Sequence, residues 1–164
     1  MALRKAKKQG VDDRTIDGPG RVLVVHDDPE GCELLVRILG VAGHQVARAH
    51  DFDEMSDLLL DGEPPDCVLL DVNTGGIGGN LKLLDAVRNH GKPEVAAARV
   101  VLVATNASSA MFSWQAGIDE FLPRPFHADE LITAVAEALA RPESDRRHHR
   151  RRMLDASQTG GRTS

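Results

Sequence analysis

Apolar residues along this chain fall into two alternating patterns. Short unbroken runs at Val22–Val25, Cys67–Leu70 and Val100–Ala104 read as strands covered on both faces. Between them, apolar residues recur at helical spacing: Leu34, Leu35, Ile38 and Leu39; Phe52, Met55 and Leu59; Leu81, Leu84 and Val87; Leu131, Val135 and Leu139. Gln45–Ala49 and Glu120–Leu122 are mixed and read as less buried strands, and Ser108–Ala116 as a short helix. Local signals agree with these assignments. Asp28 before Pro29 is a helix-start pair, Gly40 and Gly43 close that helix, and Asp51 with Glu54 caps the next.

Five strand–helix units in alternation imply an α/β fold with helices on both faces of a parallel sheet. The continuously apolar strands belong at the centre and the mixed ones at the edges. That sorting gives the doubly wound, flavodoxin-like (βα)5 order 2-1-3-4-5, whose ligands sit at the carboxyl ends of the strands, near the switch between strands 1 and 3.

Composition changes the picture at the ends. Of the 164 residues, 1–20 carry 5 basic and 3 acidic groups, 21–140 carry 8 and 19, and 141–164 carry 7 and 3. An acidic domain over 21–140 is expected between a flexible polar N-terminal tail, 1–20, and a flexible basic C-terminal tail, 141–164, neither with the apolar content to offset its ordering entropy. So acidic a domain is a poor nucleic-acid binder through its own surface but suits divalent cations or basic partners. Arg146, Arg147, Arg150, Arg151 and Arg152 leave salt-sensitive contact through the tail as a minor reading. No apolar run approaches the roughly 18 residues of a membrane span, so no membrane contact is expected. Cys32 and Cys67 sit in apolar-periodic segments and read as buried thiols, which suits a reducing cytoplasm.

The carboxyl-end rule selects few residues: His26-Asp27-Asp28 after strand 1, Asp71 with Val72-Asn73 after strand 3, Thr105 after strand 4, and Arg124-Pro125 after strand 5. Carboxylates gathered at one edge raise each other's pKa unless a cation intervenes. Asp27, Asp71 and a backbone carbonyl suit Mg²⁺, and a hydroxyl with a guanidinium suits a phosphoryl group.

Four segments, RVLVVHDDPE, CVLLDVN, VVLVAT and FLPRPF, resemble in order and context the receiver domain of two-component response regulators, over residues 21–140. The resemblance implies that Asp71 accepts a phosphoryl group from a histidine kinase, a histidine phosphotransfer protein or a small phosphodonor. It implies Mg²⁺ on Asp27, Asp71 and the Asn73 backbone carbonyl, with Asp28 as a further candidate. Thr105 and Phe121 would be the switch residues, Arg124 would stand where the family has lysine, and Arg124-Pro125 would be cis. Output to an unknown protein would run through Ser108–Ala116, Glu120–Leu122 and Asp129–Ala140. The domain would be a signalling module and not an enzyme, beyond catalysing phosphoryl transfer to and from its own aspartate. No effector domain is expected after residue 140. The alternative is a pseudo-receiver, an interaction scaffold not switched by phosphate.

The chain departs from the pattern in four places. His26 replaces the first of two adjacent acids, leaving Asp27 as the match and Asp28 as the cap of the next helix. Arg124 replaces lysine, which is not a conservative exchange at a phosphate clamp. Residues 74–79 read as a flexible glycine loop. The helix before Gly117 is about one turn (~3.6 residues) short.

Overall fold

The computed structural model describes residues 15–73 and 76–162. Its elements are β1 (Arg21–His26), α1 (Pro29–Val41), β2 (Gln45–Ala49), α2 (Phe52–Asp61), β3 (Cys67–Asp71), α3 (Gly76–Arg88), β4 (Arg99–Ala104), α4 (Ala110–Ala116), β5 (Glu120–Pro123), α5 (Ala128–Ala140) and α6 (Glu143–Arg162). A single helical turn, Pro93–Ala96, precedes β4, and a 3-10 turn, Ala107–Ser109, precedes α4. The five strands are parallel in the order β2-β1-β3-β4-β5, as the sequence pattern predicts.

Strand alternation divides the core in two. Val22, Val24, Cys67, Leu69, Val101 and Val103 face α1 and α5, where Leu35, Leu39, Leu131, Val135 and Leu139 close the layer. Leu23, Val25, Val68, Leu70, Val100 and Leu102 face α2, α3 and α4, meeting Met55, Leu59, Leu84, Val87 and Trp114. The same parity directs the next residues: His26 continues Val22 and Val24, and Asp71 continues Cys67 and Leu69, so both turn toward the α1/α5 layer. Cys32 and Cys67 are free and buried, and burial raises both thiols.

Local chemistry starts α1 and α2 as expected. The Asp28 carboxylate accepts from the Gly31 N–H at 3.1 Å, and Asp51 from the Glu54 N–H at 2.8 Å. The glycine loop differs. Residues 74–75 lie outside the described residues, and helix α3 already begins at Gly76. Each glycine costs a helix up to about 1 kcal/mol relative to alanine. Here Ile77 and Leu81 pack against the core, and buried Asn80 holds the preceding loop.

The ends also differ from the expected tails. Residues 1–14 lie outside the described residues, but the Ile16 N–H already bonds to the Leu139 carbonyl at 2.9 Å. At the other end, α6 packs along α4. Its inward positions, Arg146, His149, Arg150, Met153 and Leu154, recur at i, i+3, i+4, i+7 and i+8. The inner face of this helix is largely cationic, so it carries little apolar signal. Its anchor is Asp119 at the start of β5, which is 1% exposed. Arg146 grips both oxygens of Asp119, at 2.7 and 2.9 Å, with Arg88 at 3.0 Å and Arg150 at 3.4 Å. The Val100 N–H adds a bond at 2.9 Å. Burial alone would raise the Asp119 carboxyl, but the three guanidiniums outweigh it and hold its pKa below the usual value. His149 lies edge-on to Trp114 at 5.4 Å, and burial with nearby arginines lowers its pKa to about 4.

Arg146 and Arg147 are neighbours in sequence with opposite environments, buried and exposed. Arg146→Ala removes the guanidinium that bonds both Asp119 oxygens and leaves Arg88 and Arg150 in place, so it is expected to cost about 1.5–3 kcal/mol in urea unfolding. Arg147→Ala is expected to stay within about 0.5 kcal/mol of the parent.

Candidate functional site

The carboxyl ends of β1, β3 and β5 meet around one buried carboxylate. Asp71 is 1% exposed, and the parallel register of β1 with β3 sets His26 beside it. Arg124 follows β5, and its N–H bonds to the Ala104 carbonyl at 3.0 Å, fixing the loop against the end of β4. The Arg124–Pro125 peptide bond is cis. The Arg124 guanidinium pairs with Asp71 Oδ1. The second oxygen, Oδ2, accepts no hydrogen bond; His26 Nε2 lies 3.3 Å away without aligned geometry. Burial raises the Asp71 carboxyl, and His26 and Arg124 only partly offset that effect.

His26 is 4% exposed and held from several sides. Its Nδ1 accepts the Asp28 N–H at 3.0 Å, so the proton of the neutral ring is assigned to Nε2, on the side of Asp71. Its carbonyl contacts His50 Nδ1 at 3.1 Å. The ring lies so close to α1 that a Cβ built on Gly31 would come within 2.7 Å of Nε2 and 2.8 Å of Cε1. Glycine at 31 is therefore the space that admits histidine at 26.

Asp27 is turned to the other side of the site, its Oδ2 accepting the Asn73 N–H at 3.0 Å. Asn80 bonds to Val72 twice, accepting its N–H at 3.1 Å and donating to its carbonyl at 3.0 Å, so the segment after Asp71 is pinned. Thr105 is exposed beyond β4, and Phe121 is half-buried against the α2/α3/α4 core. A cleft of about 400 Å³ opens between α1 and the loop after β5, and His26, Leu34, Ile38, Asp71, Arg124 and Phe126 are among its walls.

The structure thus brings Asp71, His26, Asp27 and Arg124 together and leaves Thr105 at the rim. Asp28, the further metal candidate, is exposed, and its carboxylate caps α1. The remaining donors do not fit Mg²⁺. Oxygen ligands must sit about 2.0–2.1 Å from that ion in near-octahedral array. Here the ring nitrogens of His26 face both carboxylates, Nε2 toward Asp71 and Nδ1 3.8 Å from Asp27 Oδ1. Gly31 and Asn80 were not singled out from the sequence.

The sequence profile of the response regulator receiver domain matches residues 22–136. The chain belongs to the response regulator receiver family. Such domains serve two-component signalling and are not typical enzymes. The receiver is 33% identical over 127 residues to the response regulator MprA of Mycobacterium avium, covering 76% of this chain and 54% of that protein. It therefore spans about half the length of the curated relatives it matches. A response-regulator crystal structure from Chloroflexus aurantiacus superposes with a TM-score of 0.66 at 30% identity, covering 75% of this chain and 99% of that one. The response regulator TrrA of Thermotoga maritima, solved with Mg²⁺ and BeF, superposes at 0.62 with 29% identity, covering 73% and 98%. Receivers in general bind Mg²⁺ for phosphorylation and work with histidine kinases and output proteins. No described helix of this one is long and apolar enough to cross a membrane.

Two stability measurements test this site. Gly31→Ala is expected to destabilise the receiver by about 1–3 kcal/mol through overpacking on the imidazole. The penalty should shrink in the His26→Ala background, a coupling read by a double-mutant cycle. Asp71→Asn should raise stability at pH 7, because it removes an ionised carboxylate that burial disfavours. The raised pKa sets the sign. The penalty is absent below the ordinary carboxyl value of about 3.9 and complete above the raised one. Urea midpoints for parent and variant should therefore converge in acid.

Proposed function

We propose that this receiver accepts a phosphoryl group on Asp71 and signals through the protein–protein contacts that follow. The observation carrying the reading is the buried Asp71 carboxylate, with Oδ1 held by Arg124 and Oδ2 free of hydrogen bonds beside an open cleft. The donor is a histidine kinase, a histidine phosphotransfer protein or a small acyl phosphate. In the transfer, Oδ2 attacks phosphorus and the donor's P–N or P–O bond breaks. The leaving nitrogen or oxygen keeps the electron pair, and a leaving imidazole takes up a proton.

Arg124 orients the nucleophile before transfer and can bind phosphoryl oxygens bidentately after it. The modified aspartate gains a charge of roughly -2. That charge draws the Thr105 hydroxyl inward from the rim, and Phe121 changes its packing beside it. The result biases the surface of α4, β5 and α5 between two states read by an output protein. Catalysis stays confined to phosphoryl transfer to and from Asp71. A cytoplasmic setting suits this exchange and the two free thiols.

Acetyl phosphate provides the test, with intact-mass spectrometry as the readout. One phosphoryl group should add to the parent and none to Asp71→Asn. Arg124→Ala should slow the addition about 100-fold, the effect of removing one charge-stabilising donor. An unmodified parent, or an equal gain in Asp71→Asn, overturns the reading.

A further inference from the structure

We propose that this receiver takes up its phosphoryl group without a divalent cation, because the Arg124 guanidinium and the His26 imidazole already stand at the carboxylates where such an ion would bind. The inference rests on Asp71 being the acceptor.

Charge is the first argument. The site holds two carboxylates, Asp27 and Asp71, and one guanidinium, Arg124, with histidine where the sequence pattern calls for a further acid. Each acid removed lowers the demand for an added cation by one unit of charge. The acid removed here is replaced by a histidine whose Nε2 is turned toward Asp71. The second argument is occupancy. Asp71 Oδ1 pairs with Arg124, and His26 Nε2 lies 3.3 Å from Oδ2 without forming a hydrogen bond to it. Of the Asp27 oxygens, Oδ2 binds the Asn73 N–H and Oδ1 lies 3.8 Å from His26 Nδ1. A metal joining the two carboxylates would have to displace the imidazole.

The third argument is construction. The ring sits in a place made for it, with the Asp28 N–H on Nδ1, the strand register beside Asp71, and a Cβ-free Gly31 against its edge. That arrangement fixes the Nε2–H on the side where negative charge builds up on the transferring group. A preorganised donor there does the stabilising work of a cation without first giving up a hydration shell. The step is the one already written. The Asp71 Oδ2–phosphorus bond forms and the bridging bond of acetyl phosphate breaks. Acetate leaves with the electron pair, and no further reactant is needed.

The test uses the whole chain. Parent protein is treated with acetyl phosphate in Mg²⁺ buffer and in EDTA, and intact mass is followed with time. Separately, Mn²⁺ alone is titrated into ¹⁵N-labelled protein, and paramagnetic broadening is read at the amides of Asp27 and Asp71. The expected result is equal phosphorylation in both buffers and no selective broadening at the site. His26→Asp, which restores the missing acid, should gain both Mg²⁺ dependence and broadening. If that variant does not fold, the parent measurements decide alone. Phosphorylation in Mg²⁺ but not in EDTA overturns the metal-free inference and leaves Asp71 as acceptor. Selective broadening of the parent's site overturns it too. No phosphorylation in either buffer overturns the acceptor reading and this inference with it.

Discussion

Burying the Asp71 carboxylate is the constraint to which the upper end of this sheet answers. A carboxylate that is 1% exposed needs cations, donors or a proton. The strand register brings His26, the β5 loop brings Arg124, and Gly31 leaves room for the histidine ring. None of these devices satisfies the carboxylate fully. Oδ2 keeps no hydrogen bond, and the pKa stays above the ordinary value. This is the carboxylate to which the proposed phosphoryl transfer is directed.

Asp119 shows the other outcome of the same problem. It too is 1% exposed, at the opposite end of the sheet. Three arginines and a backbone N–H saturate it, and its pKa falls. The result is a permanent ion that ties α3, β4, β5 and α6 together. The contrast separates structure from function on physical grounds. Strongly perturbed groups mark both sites, and the under-satisfied Asp71 lines a cleft.

The long helix α6 alters how the receiver presents itself. It covers one side of α4, placing His149 on Trp114 and Met153 and Leu154 against the core beneath. Its arginines then divide by face. Arg146 and Arg150 bind Asp119, while Arg147 and Arg151 stay exposed. The basic run at this end therefore serves folding first and surface charge second.

The sequence by itself determined the sheet, its strand order and its edges, because unbroken apolar runs and period-3.6 apolar patterns are local properties of the chain. It also located Asp71, Asp27 and Arg124 at one edge, since in a parallel sheet the strand ends follow from the strands. Tertiary structure alone decided two things. It set His26 between the two carboxylates, a matter of register and of the missing Gly31 Cβ. And it turned an apparent basic tail into a docked helix. The anchor there is Asp119, a single acid 27 residues before Arg146. A helix held by buried ion pairs leaves no apolar periodicity to read, so its partner becomes visible only when the chain has folded.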